Sequence, residues 1–132
     1  MNKKEAKLEY KLSHRPMGVF QIRNTANGKV FIDSSTNVPG KINRHTFALK
    51  AGLHASRSLQ TDWNAFGEEA FEFETLEPVV PRDDQNYNYG ADLETLEDLW
   101  LERFEPYGDK GYNEWKKTRE QRLRMIAANR KL

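Results

Sequence analysis

An acidic residue on an otherwise apolar helical stripe is the first position in this sequence that suggests chemistry. Leu93, Glu97, Trp100 and Phe104 recur at i, i+4, i+7 and i+11, which is the spacing of one helix face. Glu97 therefore points the same way as the apolar residues. A carboxylate on such a face costs free energy unless it is paired, hydrogen-bonded or bound to a metal ion. A buried cationic partner, or a place at the edge of the stripe, explains Glu97 as well as a metal ion does.

Two cations and an imidazole form a second constellation. Lys41, Arg44 and His45 stand at i, i+3 and i+4, so they share a face if this segment is helical. Together they would hold a phosphate group, and a solvated helix face is the plainer alternative. His54, which follows shortly after Gly52, would add a further donor.

The C-terminal segment is the plainest candidate for binding a polyanion. It is predicted as a charged helix over residues 114–131, and cations next to phosphates gain affinity because they release counterions. A tail that only makes the protein soluble would have the same composition, so this alternative stays open. The cations that we expect to contact nucleic acid are Lys116, Lys117, Arg119, Arg122 and Arg124.

The charge is distributed unevenly along the 132 residues, although the net charge is only +1. Residues 16–66 carry six basic and two acidic side chains, and residues 67–109 carry two basic and fourteen acidic ones. A polyanion would therefore prefer the first half and the C-terminal segment. The acidic block would repel DNA or attract a basic protein, which leaves a protein-interaction module open as an alternative function.

Several classes of site are excluded by composition. The sequence has no cysteine, so it has no disulfide, thiolate zinc site or cysteine nucleophile. It contains none of the glycine-rich phosphate loops or serine-hydrolase motifs. It shows no secretory signal and no run of about 18 apolar residues. We therefore expect a soluble, cytoplasmic protein that makes no membrane contact.

The elements that position these residues follow from periodicity and from turn signals. Alternating residues around Asn27-Gly28 predict a β-hairpin. The capping residues at 34–37 with Pro39 mark the start of a helix, and Gly52 marks its end. Phe66 is expected to face inward from the next helix, and Asp92 to cap the helix that begins near residue 93. We predict helices over 3–12, 39–50, 56–66, 93–104 and 114–131, and strands over 18–24, 29–33 and 71–76. This order gives an α+β fold with a small, mainly antiparallel three-stranded sheet flanked by helices. The expected organisation is an N-terminal helical extension (1–15), one domain (16–113) and a basic C-terminal helix (114–132).

A series of short motifs in this order resembles the GIY-YIG nuclease superfamily over about residues 17–113. The series begins with the two halves of the family's name motif, which stand at Gly18-Val19-Phe20 and Phe31-Ile32-Asp33. It continues with Ser34-Ser35-x-Asn37, His45, Gly52-x-His54, Leu59-Gln60-x-x-Trp63-Asn64-x-x-Gly67, Glu97 and Gly111-Tyr112-Asn113. The resemblance implies the family's α+β fold and a nucleic-acid partner, DNA more than RNA.

The same resemblance implies a divalent metal ion, Mg²⁺ or Mn²⁺, bound by Glu97 in an active enzyme. Both tyrosine positions of the motif hold phenylalanine, Phe20 and Phe31, which have no hydroxyl to relay a proton. Lys41 stands at the position of the arginine that steadies the phosphate, and it lacks the two-pronged grip of a guanidinium. Asp33 replaces a glycine and adds negative charge. These departures predict activity far below that of a full family member, or none.

One rewiring would restore catalysis. His45 or His54 would serve as the base, Arg44 would supply the guanidinium, and Asp33 would join Glu97 as a metal ligand. The sequence thus leaves three functions open: a degenerate nuclease domain that still binds nucleic acid, a rewired metal-dependent endonuclease, and a protein-interaction module. It does not indicate an oligomeric state.

Overall fold

A computed structural model describes residues 15–84, 86–115, 124 and 127. Its strands and helices are β1 (Met17–Asn24), β2 (Val30–Ser35), α1 (Val38–Ala51), α2 (Arg57–Phe66), β3 (Phe71–Val79) and α3 (Gly90–Phe104). Short 3₁₀ turns lie at Glu68–Ala70 and Gly108–Lys110. The predicted hairpin, third strand and three central helices are confirmed, with ends that differ by up to three residues.

The three strands form one antiparallel sheet in the order β2-β1-β3. β1 is the central strand, and seven of its eight residues are buried, with Arg23 the exception. Alternate β1 side chains point to opposite faces of the sheet. Phe20 and Ile22 pack in the core with α1 and α2, whereas Val19 packs with Leu101 of α3. The sheet therefore lies between two helical layers, which confirms the predicted α+β class.

Gly18 allows β1 and β3 to approach each other closely. Its φ is +151°, and a Cβ at this position would lie 2.1 Å from the carbonyl oxygen of Glu77 and 2.8 Å from Cα of Pro78. The pairing of the two strands shifts register between Val19 and Phe20. Only glycine fits this irregular contact.

The hairpin connection is longer than a two-residue Asn-Gly turn. Asn24 N donates to Lys29 O at 2.9 Å, and Gly28 N donates to Asn24 O at 2.8 Å. Gly28 has the expected positive φ, +78°. The Asn24 side chain also accepts from Ala26 N. These contacts organise a four-residue loop over residues 25–28.

The caps of α1 and α2 follow the sequence signals. The side chain of Asn37 accepts from Gly40 N at the start of α1, and Gly52 ends this helix in a left-handed conformation. Ser56 caps α2 by accepting from Leu59 N. α1 and α2 therefore begin and end close to the predicted positions, which fixes the loop between them.

The start of α3 differs from the prediction. Asp92 was expected to cap a helix beginning near Leu93, but α3 begins at Gly90. The side chain of Asn88 accepts from Gly90 N, and Asp92 accepts from the Tyr87 hydroxyl instead. A local side chain–backbone bond thus starts the helix one turn earlier.

Two expected core residues lie at the surface. Phe66 was predicted to face inward from α2, and Phe104 from α3, but they are 47% and 39% exposed. Leu101, which was not on the predicted stripe, is buried at 4%. Each of these phenylalanines is the last residue of its helix.

Two predicted helices fall largely outside the described residues. These are the helix over residues 3–12 and most of the one over 114–131. Arg124 and Ala127 are described, and both are helical and exposed. In the part of the chain that the structure describes, no helix has the length and apolar character needed to cross a membrane.

Candidate functional site around Asp33 and two histidines

The carboxylate of Asp33, near the end of β2, accepts three hydrogen bonds. Oδ1 accepts from Ser34 N at 2.8 Å and from Lys41 Nζ at 3.0 Å. Oδ2 lies 2.8 Å from Nε2 of His45. Lys41 Nζ also donates to the carbonyl of Ser34 at 3.0 Å. The charge of Asp33 is thus matched by a cation and by hydrogen-bond donors from two elements.

The two histidines extend this contact into a chain. Nδ1 of His45 lies 2.7 Å from Nε2 of His54. Nδ1 of His54 lies 2.9 Å from the backbone nitrogen of Ser56, which donates to it. Every ring nitrogen of both histidines is therefore engaged.

The backbone donor fixes the direction of the chain. Because Ser56 N–H donates to Nδ1 of His54, the proton of the neutral His54 ring lies on Nε2. That proton is donated to Nδ1 of His45, so His45 carries its own proton on Nε2. His45 then donates to Asp33. The order Ser56 to His54 to His45 to Asp33 satisfies every donor and acceptor along the chain.

Local structure explains why these groups meet. Lys41 and His45 are one turn apart on α1, so they reach the same side of the helix. His54 lies in the loop between α1 and α2, where its backbone nitrogen donates to Gln60 Oε1 at 3.0 Å. Gln60 also donates to the carbonyl of Leu49 at 2.9 Å. The buried Gln60 therefore joins the end of α1 to α2 and holds the His54 loop.

Burial and charge shift the pKa values of the two ends of the chain in the same direction. Burial, followed by repulsion from His45, lowers the pKa of His54 below its ordinary value. Burial alone would raise the pKa of Asp33, but the hydrogen bond from His45 and the charge of Lys41 outweigh it and lower this pKa. A neutral His54 and an ionised Asp33 agree with the donor order.

The two phenylalanines at the motif positions border the histidines. The ring of Phe31 meets the rings of His45 and His54 edge-on, with centroid distances of 5.4 and 5.6 Å. Phe20 is fully buried, and its centroid lies 6.0 Å from that of His45. Both residues therefore lie at the site, where they supply apolar walls and no hydroxyl.

Glu97 reaches the same end of β2 from α3. Its Oε1 accepts from the Ser34 hydroxyl at 3.1 Å, and the residue is partly exposed. The hydrogen bond and the partial exposure are the arrangement that the edge-of-stripe interpretation predicts. Ser34 thus stands between Glu97 and the carboxylate of Asp33, which its backbone contacts.

The fit of a metal ion depends on Glu97. Among the described residues, no group of three or more histidine or acidic side chains is placed to hold a metal ion. The histidine chain is linear, with its nitrogens directed at one another and not at a common point. Mg²⁺ keeps several waters and needs only one or two carboxylates besides substrate phosphates. The chemistry of Glu97 fits that requirement, whereas Asp33 is engaged by Lys41 and His45.

A polar cleft adjoins Lys41. It has a volume of about 160 Å³ and is lined by Ser35, Thr36, Asn37, Gly40, Lys41 and Arg44. Arg44 is exposed on α1. The predicted phosphate-binding cations Lys41 and Arg44 therefore share this cleft. Of the cations predicted in the C-terminal segment, Arg124 is described and exposed, and the others lie outside the described residues.

Comparison with known proteins places this site in context. No protein-family profile matches the chain. A segment of 62 residues is 37% identical to intron-associated endonuclease 1 of Enterobacteria phage T4, and it covers 47% of this chain. The match spans a quarter of the length of that relative.

Two solved structures resemble the whole domain. The catalytic domain of homing endonuclease I-TevI superposes with a TM-score of 0.64 at 28% identity, over 76% of this chain and 99% of that one. A glutamate-to-alanine mutant of the same catalytic domain gives 0.65 at 29% identity, over 78% and 97% of the two chains. The domain is GIY-YIG-like. The resemblance inferred from the motifs is thus confirmed at the level of the fold.

The GIY-YIG-like domain brings most of the predicted site residues together. Asp33 contacts Lys41 and His45 directly, and His45 in turn contacts His54, Phe20 and Phe31. Glu97 is joined to this group through Ser34. Sequence reasoning missed that Asp33 is the partner of His45. It also missed that Gln60 and Ser56 orient His54. Gln60 entered only as a member of the Leu59-Gln60 motif, and Ser56 carried no signal for this contact.

Proposed function

We propose that this domain binds DNA through the surface around Lys41 and Arg44, and that its capacity to hydrolyse phosphodiesters is strongly impaired or lost. The observation that carries the second part is the engagement of every imidazole nitrogen in the chain that ends on Asp33. The first part draws on the similarity to an intron endonuclease and to the catalytic domain of a homing endonuclease.

The charge of the surface supports the binding role. Lys41 and Arg44 line a polar cleft, and they lie in the segment 16–66, where basic residues outnumber acidic ones by six to two. Cations on one helix face position a phosphate backbone without reading bases. A sugar-phosphate backbone is therefore the ligand that this surface favours.

The chemistry of the site supports the loss of catalysis. A general base needs a lone pair within hydrogen-bond reach of the attacking water. Phe20 and Phe31 have no lone pair, and both nitrogens of His45 and His54 are already engaged. Lys41, the replacement for the phosphate-binding arginine, is held by Asp33. The general base, the contact with the phosphate and the proton relay are therefore all weakened.

A rewired endonuclease is the second candidate, and the position of Glu97 favours it. Glu97 lies beside Ser34 at the end of β2, where it would hold Mg²⁺ or Mn²⁺. A bound divalent ion polarises a phosphoryl oxygen and lowers the pKa of its water. This function requires His45 or His54 to leave its present partner and act as the base.

Binding is tested by fluorescence anisotropy with labelled DNA and RNA of the same sequence over a range of salt concentrations. We expect affinity to fall as salt rises, with DNA preferred. Joint substitution Lys41→Ala and Arg44→Ala should lower the magnitude of the log–log salt slope by at least about 1, mainly through Arg44, because Lys41 is paired with Asp33. The matched control, Arg82→Ala with Arg103→Ala, removes the same charge from the acidic segment 67–109 and should leave the slope unchanged. An unchanged slope in the first variant would contradict the proposed surface.

Cleavage is tested separately with plasmid and oligonucleotide substrates in Mg²⁺ or Mn²⁺, with Glu97→Gln as the comparison. We expect no cutting above the level of the Glu97→Gln variant. Cutting that disappears in Glu97→Gln would establish the rewired endonuclease. Absence of nucleic-acid binding in the first experiment would leave the protein-interaction module.

A further inference from the structure

The carboxylate of Asp33 occupies a position built to receive an oxyanion. Its donors come from the backbone of Ser34, the ammonium of Lys41 and the imidazole of His45, at 2.8, 3.0 and 2.8 Å. Backbone N–H, lysine and histidine are also the groups that bind phosphate. Two of these donors have a second contact that does not involve Asp33. The ammonium of Lys41 also donates to the carbonyl of Ser34, and the ring of His45 also accepts from His54.

The hydrogen-bond direction that Ser56 N–H sets is a second reason to expect an anion at this position. The histidine chain requires His45 to present an N–H, and not a lone pair, toward position 33. If the carboxylate were removed, one ammonium and two N–H groups would face the same space and would no longer have Asp33 as their acceptor. Such a space favours an anion and disfavours a metal ion.

The surroundings lead from this space to solvent. The side chain of Asp33 is 17% exposed and that of Lys41 is 36% exposed. Lys41 also lines the polar cleft, together with Arg44. A phosphate group in the cleft would compete with Asp33 for the same ammonium.

We propose that Asp33 is a built-in anion that fills a latent phosphate-binding site formed by Ser34 N–H, Lys41 and His45, and thereby weakens the binding of external phosphate groups there. The ligand is a phosphate group, either free or part of a nucleic-acid backbone. The inference deepens the proposed function, because it says which residue limits phosphate binding at that surface.

The test removes the carboxylate and measures phosphate binding directly. The full chain and its Asp33→Ala and Asp33→Asn variants are titrated with inorganic phosphate, and the histidine ring signals are followed by NMR. We expect Asp33→Ala to bind phosphate about ten-fold more tightly than the wild type, because one anion no longer competes for the charged donors. Asp33→Asn should give a smaller gain, since the amide keeps its shape but loses its charge.

Two controls make the result specific. Glu72→Gln removes one negative charge from an exposed position on β3 and should bind phosphate as the wild type does. Adding Lys41→Met to Asp33→Ala should abolish the gain. If Asp33→Ala is too unstable to study, Asp33→Asn decides. Phosphate binding by the Asp33 variant no tighter than that of Glu72→Gln would overturn the proposal.

A short single-stranded oligonucleotide, titrated in the same way, distinguishes the source of the phosphate. A gain with both ligands indicates that the site accepts backbone phosphates, and a gain with inorganic phosphate alone indicates a site for the free anion. Failure of the inference is distinguishable from failure of the proposed function. Wild-type protein that binds DNA, with no gain on removing Asp33, would overturn only the inference.

Discussion

Nε2 of His54 donates to Nδ1 of His45 across 2.7 Å, and this bond joins the loop between α1 and α2 to the middle of α1. Its direction is set by a backbone N–H of Ser56 on the far side of His54. A proton added to His54 would have to occupy the nitrogen that already accepts from Ser56. The contact is therefore compatible only with an unprotonated His54.

The first prediction concerns pH. The pKa of His54 is lowered in the folded protein, so in the window just below the ordinary value of 6.5 the unfolded chain binds more protons than the folded one. The free energy of unfolding should therefore decrease as the pH falls below about 6.5 and through the folded pKa. The pKa of Asp33 is also lowered, so its contribution is present above about 3.8 and is lost at lower pH.

Denaturant unfolding between pH 7 and pH 4.5 measures the His54 contribution. His54→Asn keeps an oxygen that can accept from Ser56 but has no titratable ring, so its stability should vary less with pH in this window. Equal pH dependence in the two proteins would show that the His54 ring is not responsible.

The second prediction concerns Tyr112, whose hydroxyl donates to Asp62 at 2.6 Å and accepts from Asn24 at 3.1 Å. Tyr112→Phe leaves the donor of the fully buried Asn24 without this acceptor and should cost about 1–3 kcal/mol. Tyr87→Phe removes a hydroxyl from a less buried tyrosine, bonded to Asp92, and should cost less. Burial and the bond to Asp62 raise the pKa of Tyr112 to about 12, so the wild type should show one tyrosine that ionises near that pH in an ultraviolet titration. Equal losses of stability in the two variants would contradict a special role for the buried hydroxyl.

The third prediction separates two glycines that share a positive φ. Gly18→Ala should destabilise the domain by more than Gly28→Ala, because a Cβ at position 18 would collide with the backbone of β3, whereas nothing lies within 4 Å of one at position 28. Gly28→Ala should lower the free energy of unfolding only by the cost of the left-handed conformation, about 1–2 kcal/mol. Thermal unfolding of both variants measures the difference. A Gly18→Ala protein as stable as Gly28→Ala would mean that β1 and β3 can separate at little cost.

The sequence predicted the elements well where local rules decide the structure. The cap at Asn37, the stop at Gly52 and the alternation of Phe71–Leu76 each depend on neighbouring residues, and each is confirmed. Phe66 and Phe104 were assigned wrongly because each is the last residue of its helix. The helical period locates a face of the helix, but it does not say how much of that face the rest of the fold covers.

The candidate site was also predicted only in part. The resemblance placed Phe31, Lys41 and His45 together, but it described Asp33 only as an added charge or a metal ligand. Its pairing with His45 spans twelve positions and depends on the angle at which α1 leaves β2. The tautomers depend on the backbone of Ser56, and no side-chain pattern in the sequence indicates that contact.

The last prediction follows from the way Asp33 engages its neighbours. Restoring tyrosine at both motif positions, Phe20→Tyr with Phe31→Tyr, should leave cleavage undetectable, because Lys41 and His45 remain bound to Asp33. Adding Asp33→Gly and Lys41→Arg releases His45 and supplies a guanidinium that grips phosphate at two points. General acid–base help alone is worth about 10²–10⁴-fold, so we expect cutting only when the tyrosines and the Asp33 change are combined. Plasmid nicking in Mn²⁺ by all combinations measures this dependence, with Glu97→Gln in the combined variant as the control for metal-assisted cleavage. Cutting by the two-tyrosine variant alone would show that Asp33 does not obstruct the site, and the phenylalanines would then be the sole cause of the impairment.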